Sequence, residues 1–243
     1  MLYYFLHPLV GNFPVFNLLK YITFRTAGAV LTTMIISFWV GPYFIRWLKS
    51  RQTHGQPIRE DGPESHLLTK KGTPTMGGAL ILSSILLSTL LWGNLTNSYI
   101  WILMLVTTGF GALGMIDDYI KLTKRHAKGM LSKTKFLAQC AIALVACVWI
   151  MAEAQAPYDT GLTVPFFKDV LINLGIFYIP FSIVVIVGAS NAVNLTDGLD
   201  GLCIVPVLIA AACFSVIAYL VGNQIFANYL QIHYVPGAGE MAV

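Results

Sequence analysis

From Gly72 to Ile116 the chain passes without one charged residue. That run is longer than the roughly 20 apolar residues that one bilayer crossing needs. In hydrocarbon each backbone N–H and C=O must be satisfied internally, which a helix does within its own segment. The run is interrupted once, by the turn-forming string "WGNLTNS" at 92–98. It therefore reads as two helices, about 75–92 and 99–116, joined by a tight hairpin. Further charge-free segments cover 26–45, 136–151, 170–189 and 202–221, with a kink expected at Pro180.

The tail "LQIHYVPGAGEMAV" does not complete a seventh span. The opening "MLYYFLHPLVGNF" is aromatic and apolar but has no basic start and no small-residue cleavage site, so an interfacial segment is expected rather than a signal peptide. The expected fold is an all-α integral membrane protein with six transmembrane helices, forming one polytopic domain over 1–243. Composition excludes a soluble domain: charged residues are 11% of the chain, against about 25% in soluble proteins. The cysteines lie inside apolar segments without C-x-x-C spacing, which argues against a disulfide framework or a zinc site. No nucleic-acid partner is expected.

Orientation follows from Lys and Arg. Arg46, Lys49, Arg51, Arg59, Lys70 and Lys71 fall in one connection, and Lys121, Lys124, Arg125, Lys128, Lys133 and Lys135 in another. The opposite connections hold only Lys168. Loops at about 46–72, 117–135 and 189–201 are thus expected on the cytoplasmic side, with the N-terminus periplasmic. Every dense polar cluster then faces one compartment.

In "GALGMIDDYIKL" (111–122) two aspartates, Asp117 and Asp118, close an apolar run. As the end of a helix they would be disfavoured by the macrodipole and by each other. A bland role, balancing nearby lysines, leaves that cost in place, whereas a hard cation such as Mg²⁺ removes it and can hold phosphate as well. The string "SNAVNLTDGLDGL" (190–202) spaces Asn191, Asn194, Asp197 and Asp200 three apart, so in a helix they share a face. Helix capping would explain one of these carboxylates, not two with two amides. "KKGTPTMGG" (70–78) puts Lys70 and Thr75 ahead of a helix, a weak anion-binding pattern that lacks the P-loop order. Lys121 and Lys135 suit phosphate, although topology alone would account for them. His54, His66 and His126 show no ligand spacing. Carboxylates, amides and lysines converging at a membrane surface suit a reaction between a soluble phosphate-bearing substrate and a lipid phosphate. Cation transport is the rival from another class, and a scaffold role a third.

"GTPTMGG", "DDYIK" and "NAVNLTDGLDG", with "EDGPESH" and "VPFFKDV", resemble in order and spacing the bacterial phospho-N-acetylmuramoyl-pentapeptide transferases, a branch of the polyprenyl-phosphate N-acetylhexosamine-1-phosphate transferases. The resemblance implies transfer of phospho-MurNAc-pentapeptide from UDP-MurNAc-pentapeptide to undecaprenyl phosphate, giving lipid I and UMP in peptidoglycan synthesis, with Mg²⁺. By position it makes Asp117, Asp118 and Asp200 catalytic. Lys70, Thr75, Lys121, Lys135, Asn191, Asn194 and Asp197 become substrate-binding, and Asp117, Asp118 and Asn194 metal ligands. It also implies the bacterial inner membrane, a cytoplasmic-side site, a homodimer, and phage lysis proteins or nucleoside antibiotics as partners. Relatives that transfer GlcNAc-1-phosphate are the alternative within the family. Family members form a ten-helix bundle. This sequence ends before the "FMGDVGS" segment and the triple-histidine loop, so a C-terminally truncated chain, inactive alone, is expected.

Overall fold

The structure is a computed structural model that describes residues 1–52, 73–124, 129–154, 159–164, 167, 170–197 and 201–243. Lys70 and Asp200 lie outside the described residues. Among the described residues, five helices are long and apolar enough to cross a membrane. Helix α1 is Leu2–Leu6 and two 3₁₀ turns follow, His7–Gly11 and Pro14–Lys20. These short pieces precede α2, Ile22–Arg51, as an interfacial segment would. Then come α3 (Gly78–Trp92), α4 (Ser98–Lys124), α5 (Ser132–Glu153), α6 (Tyr178–Thr196), α7 (Ile204–Val221) and the short α8 (Gln224–Leu230). Helix α3 is apolar but only 15 residues long, short of that length, and lies where a span is expected at about 75–92. The region after α7 gives only α8 and a 3₁₀ turn at Ala238–Ala242, and no seventh span.

Three details differ from the sequence-based expectation. Helices α2 and α4 run past their apolar cores into the basic stretches, because Arg and Lys are good helix formers and favour a helix C-terminus. The segment 170–177 is not helical: Leu171–Asn173 pairs antiparallel with Gly161–Thr163 as β2 and β1, and a 3₁₀ turn at Gly175–Phe177 leads into α6. Pro180 consequently falls in the first turn of α6, where its missing N–H costs nothing and no kink follows. The interior proline is Pro42, in the middle of α2.

Helices α2 to α6 pack in chain order, each against the next. Small residues make the close contacts that such packing needs in lipid. Gly28 lies under the Trp92 ring, Gly109 against Ile142 and Gly111 against Leu82. Ser88 donates to the Ala29 carbonyl at 2.7 Å and Trp92 Nε1 to Thr32 Oγ1 at 2.9 Å, tying α3 to α2. Helix α7 packs chiefly on the Ala238–Ala242 turn, which also touches α2 and α4.

That turn carries Glu240, whose carboxylate takes a two-pronged contact from Arg25, at 2.7 and 2.5 Å. Both residues are buried. Arg25 also reaches the Trp92 carbonyl at 3.3 Å, Tyr3 lies over its guanidinium at 5.1 Å, and Asn94 N–H donates to Glu240. Arg25 lies in the first turn of α2, where the helix dipole disfavours a cation. In the folded protein the paired carboxylate offsets this.

Candidate active site

Asp117 and Asp118 lie within α4, about two turns before its end. They do not sit at the helix C-terminus, as expected from the apolar run. Lys121 makes the difference. Its ammonium is 2.6 Å from Asp117 Oδ2 and 3.4 Å from Asp118 Oδ1, one turn along the same face. The cation that two adjacent carboxylates require is supplied here by the chain itself, and one lysine against two aspartates leaves the cluster net negative.

Each aspartate is also held from outside the helix. Asp117 Oδ1 accepts the Met130 N–H at 2.7 Å. The chain reaches that position through Gly129 at φ +57°, where a Cβ would collide with the Asp117 carboxylate. Asp118 Oδ2 accepts the Thr75 hydroxyl at 3.0 Å. Thr75 is buried, and its backbone is bonded by Gln52, the residue that closes α2. Lys135, in the first turn of α5, adds positive potential at Asp117. The structure thus brings together Thr75, Asp117, Asp118, Lys121 and Lys135.

The second cluster is only partly assembled. Asn191 and Asn194 lie on α6, which continues to Thr196 through the stretch read as a loop. Asn191 donates to Gln139 Oε1 on α5 at 2.9 Å and to the Val187 carbonyl at 2.8 Å. Asn194 is exposed and bonds no described side chain. Asp197 ends α6 rather than capping α7, whose own N-cap is Cys203. It borders an open groove of about 380 Å³ with Gly201, Cys203, Ile204 and Val207. Among the described residues no contact joins Asn194 or Asp197 to the aspartate pair. No group of three or more His, Cys, Asp or Glu forms a metal cluster among them either.

Sequence reasoning missed Gln52, Gly129, Met130 and Gln139. Gln139 carried a usable signal, since an amide alone in an apolar span must find a partner. Met130 acts through its backbone N–H, Gln52 through a side-chain amide on the Thr75 backbone, and Gly129 through a left-handed turn, and none of these partners is marked by local spacing.

Residues 100–237 match the family described as Glycosyl transferase family 4. Fold, site and this match define a multi-pass membrane transferase. Residues 70–82, which include Thr75, match Phospho-N-acetylmuramoyl-pentapeptide-transferase signature 1. A phospho-N-acetylmuramoyl-pentapeptide-transferase of Granulibacter bethesdensis is 57% identical over 243 residues, covering the whole of this chain and 67% of that relative. The chain belongs to the phospho-N-acetylmuramoyl-pentapeptide-transferase family. Neither the GlcNAc-1-phosphate alternative nor cation transport is favoured by these matches.

Proposed function

We propose that the protein moves phospho-MurNAc-pentapeptide from its UDP carrier onto undecaprenyl phosphate, releasing UMP and forming lipid I. The observation that carries this reading is the aspartate pair on α4, tethered to the signature segment through Thr75. A lipid-phosphate oxygen attacks the sugar-linked phosphorus, one phosphoanhydride forms, and the bond to UMP breaks. The protein's share is therefore positioning and charge balance.

Asp117, fixed at both oxygens by Met130 N–H and Lys121, takes the proton of the attacking phosphate. Asp118 holds the opposite side of Lys121. Lys121 and Lys135 offset phosphate charge, Lys70 joins them in this reading, and Asp200 is a further catalytic carboxylate. The donor chemistry fits Mg²⁺, because each carboxylate oxygen keeps lone-pair capacity beyond the bond it accepts. Asp117 and Asp118 would hold the ion, and the Asn194 amide oxygen is a third donor only by the family resemblance, since no described contact joins it to the pair. When bound, the ion supplies neutralisation of the phosphate groups in flight. Asn191, Asn194 and Asp197 face the nucleotide sugar. The site lies on the cytoplasmic side of the bacterial inner membrane, supported by the Lys and Arg distribution, and the partners are the two substrates, the bilayer and a second copy of the chain.

The test is Mg²⁺-dependent UMP release from UDP-MurNAc-pentapeptide in detergent with undecaprenyl phosphate. It uses this chain fused to the portion of the Granulibacter relative that it does not cover. Release is expected in the parent and expected to vanish with Asp117→Asn. A fully active Asp117→Asn protein would remove Asp117 from the chemistry.

A further inference from the structure

We propose that Gln52 is a positioning residue for this transfer, an inference that rests on the functional reading above. It holds the Thr75 backbone so that the Thr75 hydroxyl fixes Asp118. The side-chain amide of Gln52 uses both its ends. Oε1 accepts the Thr75 N–H at 2.8 Å, and Nε2 donates to the Thr75 carbonyl at 3.2 Å. Gln52 is itself anchored, since its own N–H bonds the Leu48 carbonyl in the last turn of α2.

Two further features give this clamp its consequence. Met76, directly after Thr75, holds φ at +71°. Outside glycine, that conformation persists only where the surroundings over-determine it. Gln52 supplies that determination from the residue before. Secondly, the Thr75 hydroxyl has one proton to donate, and it goes to Asp118 Oδ2. This fixes the carboxylate rotation and leaves Oδ1 turned toward Lys121. Gln52 never touches the aspartates; it acts through Thr75 alone. A clamp from the end of one helix thereby sets one oxygen on another.

The experiment compares the parent fusion with Gln52→Leu, Thr75→Val and the double variant, with Gln52→Glu as the version that keeps the acceptor and drops the donor. Amide exchange at Thr75 reads the clamp directly, and UMP release reads its effect. Gln52→Leu is expected to speed exchange at Thr75 and lower kcat about tenfold, the scale of one lost hydrogen bond to a charged group. KM for the nucleotide sugar is expected to stay within about twofold, since no substrate contact is removed. Gln52→Glu should fall between, and the double variant should be no slower than the slower single one, because the two residues act in series. Unchanged exchange at Thr75 in Gln52→Leu, or rate losses that multiply in the double variant, would overturn the proposal. A parent that releases no UMP would defeat the functional reading, while amide exchange would still decide the clamp.

Discussion

Replacing Arg25 by leucine is expected to destabilise the fold by about 3–5 kcal/mol, the range for breaking a buried ion pair from one side. The contacts support that size. Two charge-assisted bonds to Glu240 at 2.7 and 2.5 Å disappear, each worth about 1.5–3 kcal/mol. A longer bond to the Trp92 carbonyl and the Tyr3 ring contact go with them. Among the described residues Glu240 would keep only the Asn94 N–H, at 3.3 Å. Leucine recovers part of the loss by relieving the buried Nε of Arg25, which has no partner among the described residues. For a chain of this length a kilocalorie moves the midpoint by about 2–4 °C, so the expected drop is roughly 6–20 °C. A thiol-reactive dye provides the assay, because Cys147 is fully buried and labels only on unfolding, above a baseline from exposed Cys213. Scan rate must be held constant, since unfolding in detergent is often irreversible. The double variant Arg25→Leu/Glu240→Leu removes both charges and is expected to regain most of the midpoint. A single variant melting with the parent, or a double variant as unstable as the single, would refute the reasoning.

Gly129→Ala places a Cβ against the Asp117 carboxylate at a left-handed position, which costs about 1–2 kcal/mol in backbone terms alone. UMP release should fall at least about tenfold, with the melting midpoint much less affected. Gln139→Leu leaves Asn191 with the Val187 carbonyl as its remaining bond. Its stability cost should be near 0.6 kcal/mol and not above about 1.7 kcal/mol, as for other interhelical bonds in membranes, measured by the same dye assay. Chelation of Mg²⁺ is expected to stop UMP release and re-addition to restore it, while the midpoint moves little because Lys121 already neutralises part of the aspartate charge.

The helices were legible in the sequence because lipid forbids charge and unpaired backbone, so charge-free runs mark where they lie. Their ends were not, because what stops a helix at the membrane surface is local. Lys121 carries α4 past the aspartates, and Arg46, Lys49 and Arg51 carry α2 beyond its apolar core. The run 170–189 read as one helix because uninterrupted hydrophobicity has no period. Nothing in it separates the strand Leu171–Asn173 from the helix that begins at Tyr178. At the site, Thr75, Asp117, Asp118 and Lys121 could be named from residue type and spacing. Met130 joins Asp117 through its backbone N–H, which every residue but proline offers alike, and the Gln52 side-chain amide takes the Thr75 backbone as its partner, which no local spacing marks. Arg25 and Glu240 are each visible as charges, but their pairing spans most of the chain and no local pattern encodes it.

That pairing has a consequence for how the protein is made. Arg25 and Glu240 are 215 residues apart, and chains are synthesised at about 5–20 residues per second. Arg25 therefore spends roughly 10–40 seconds in or near the bilayer before its partner exists. During that interval its long side chain must keep the guanidinium at the headgroup level, which holds the first turn of α2 at the membrane rim. Arrival of Glu240 ends the wait, so the last described segment to be made is also the one that lets α2 settle to its final depth.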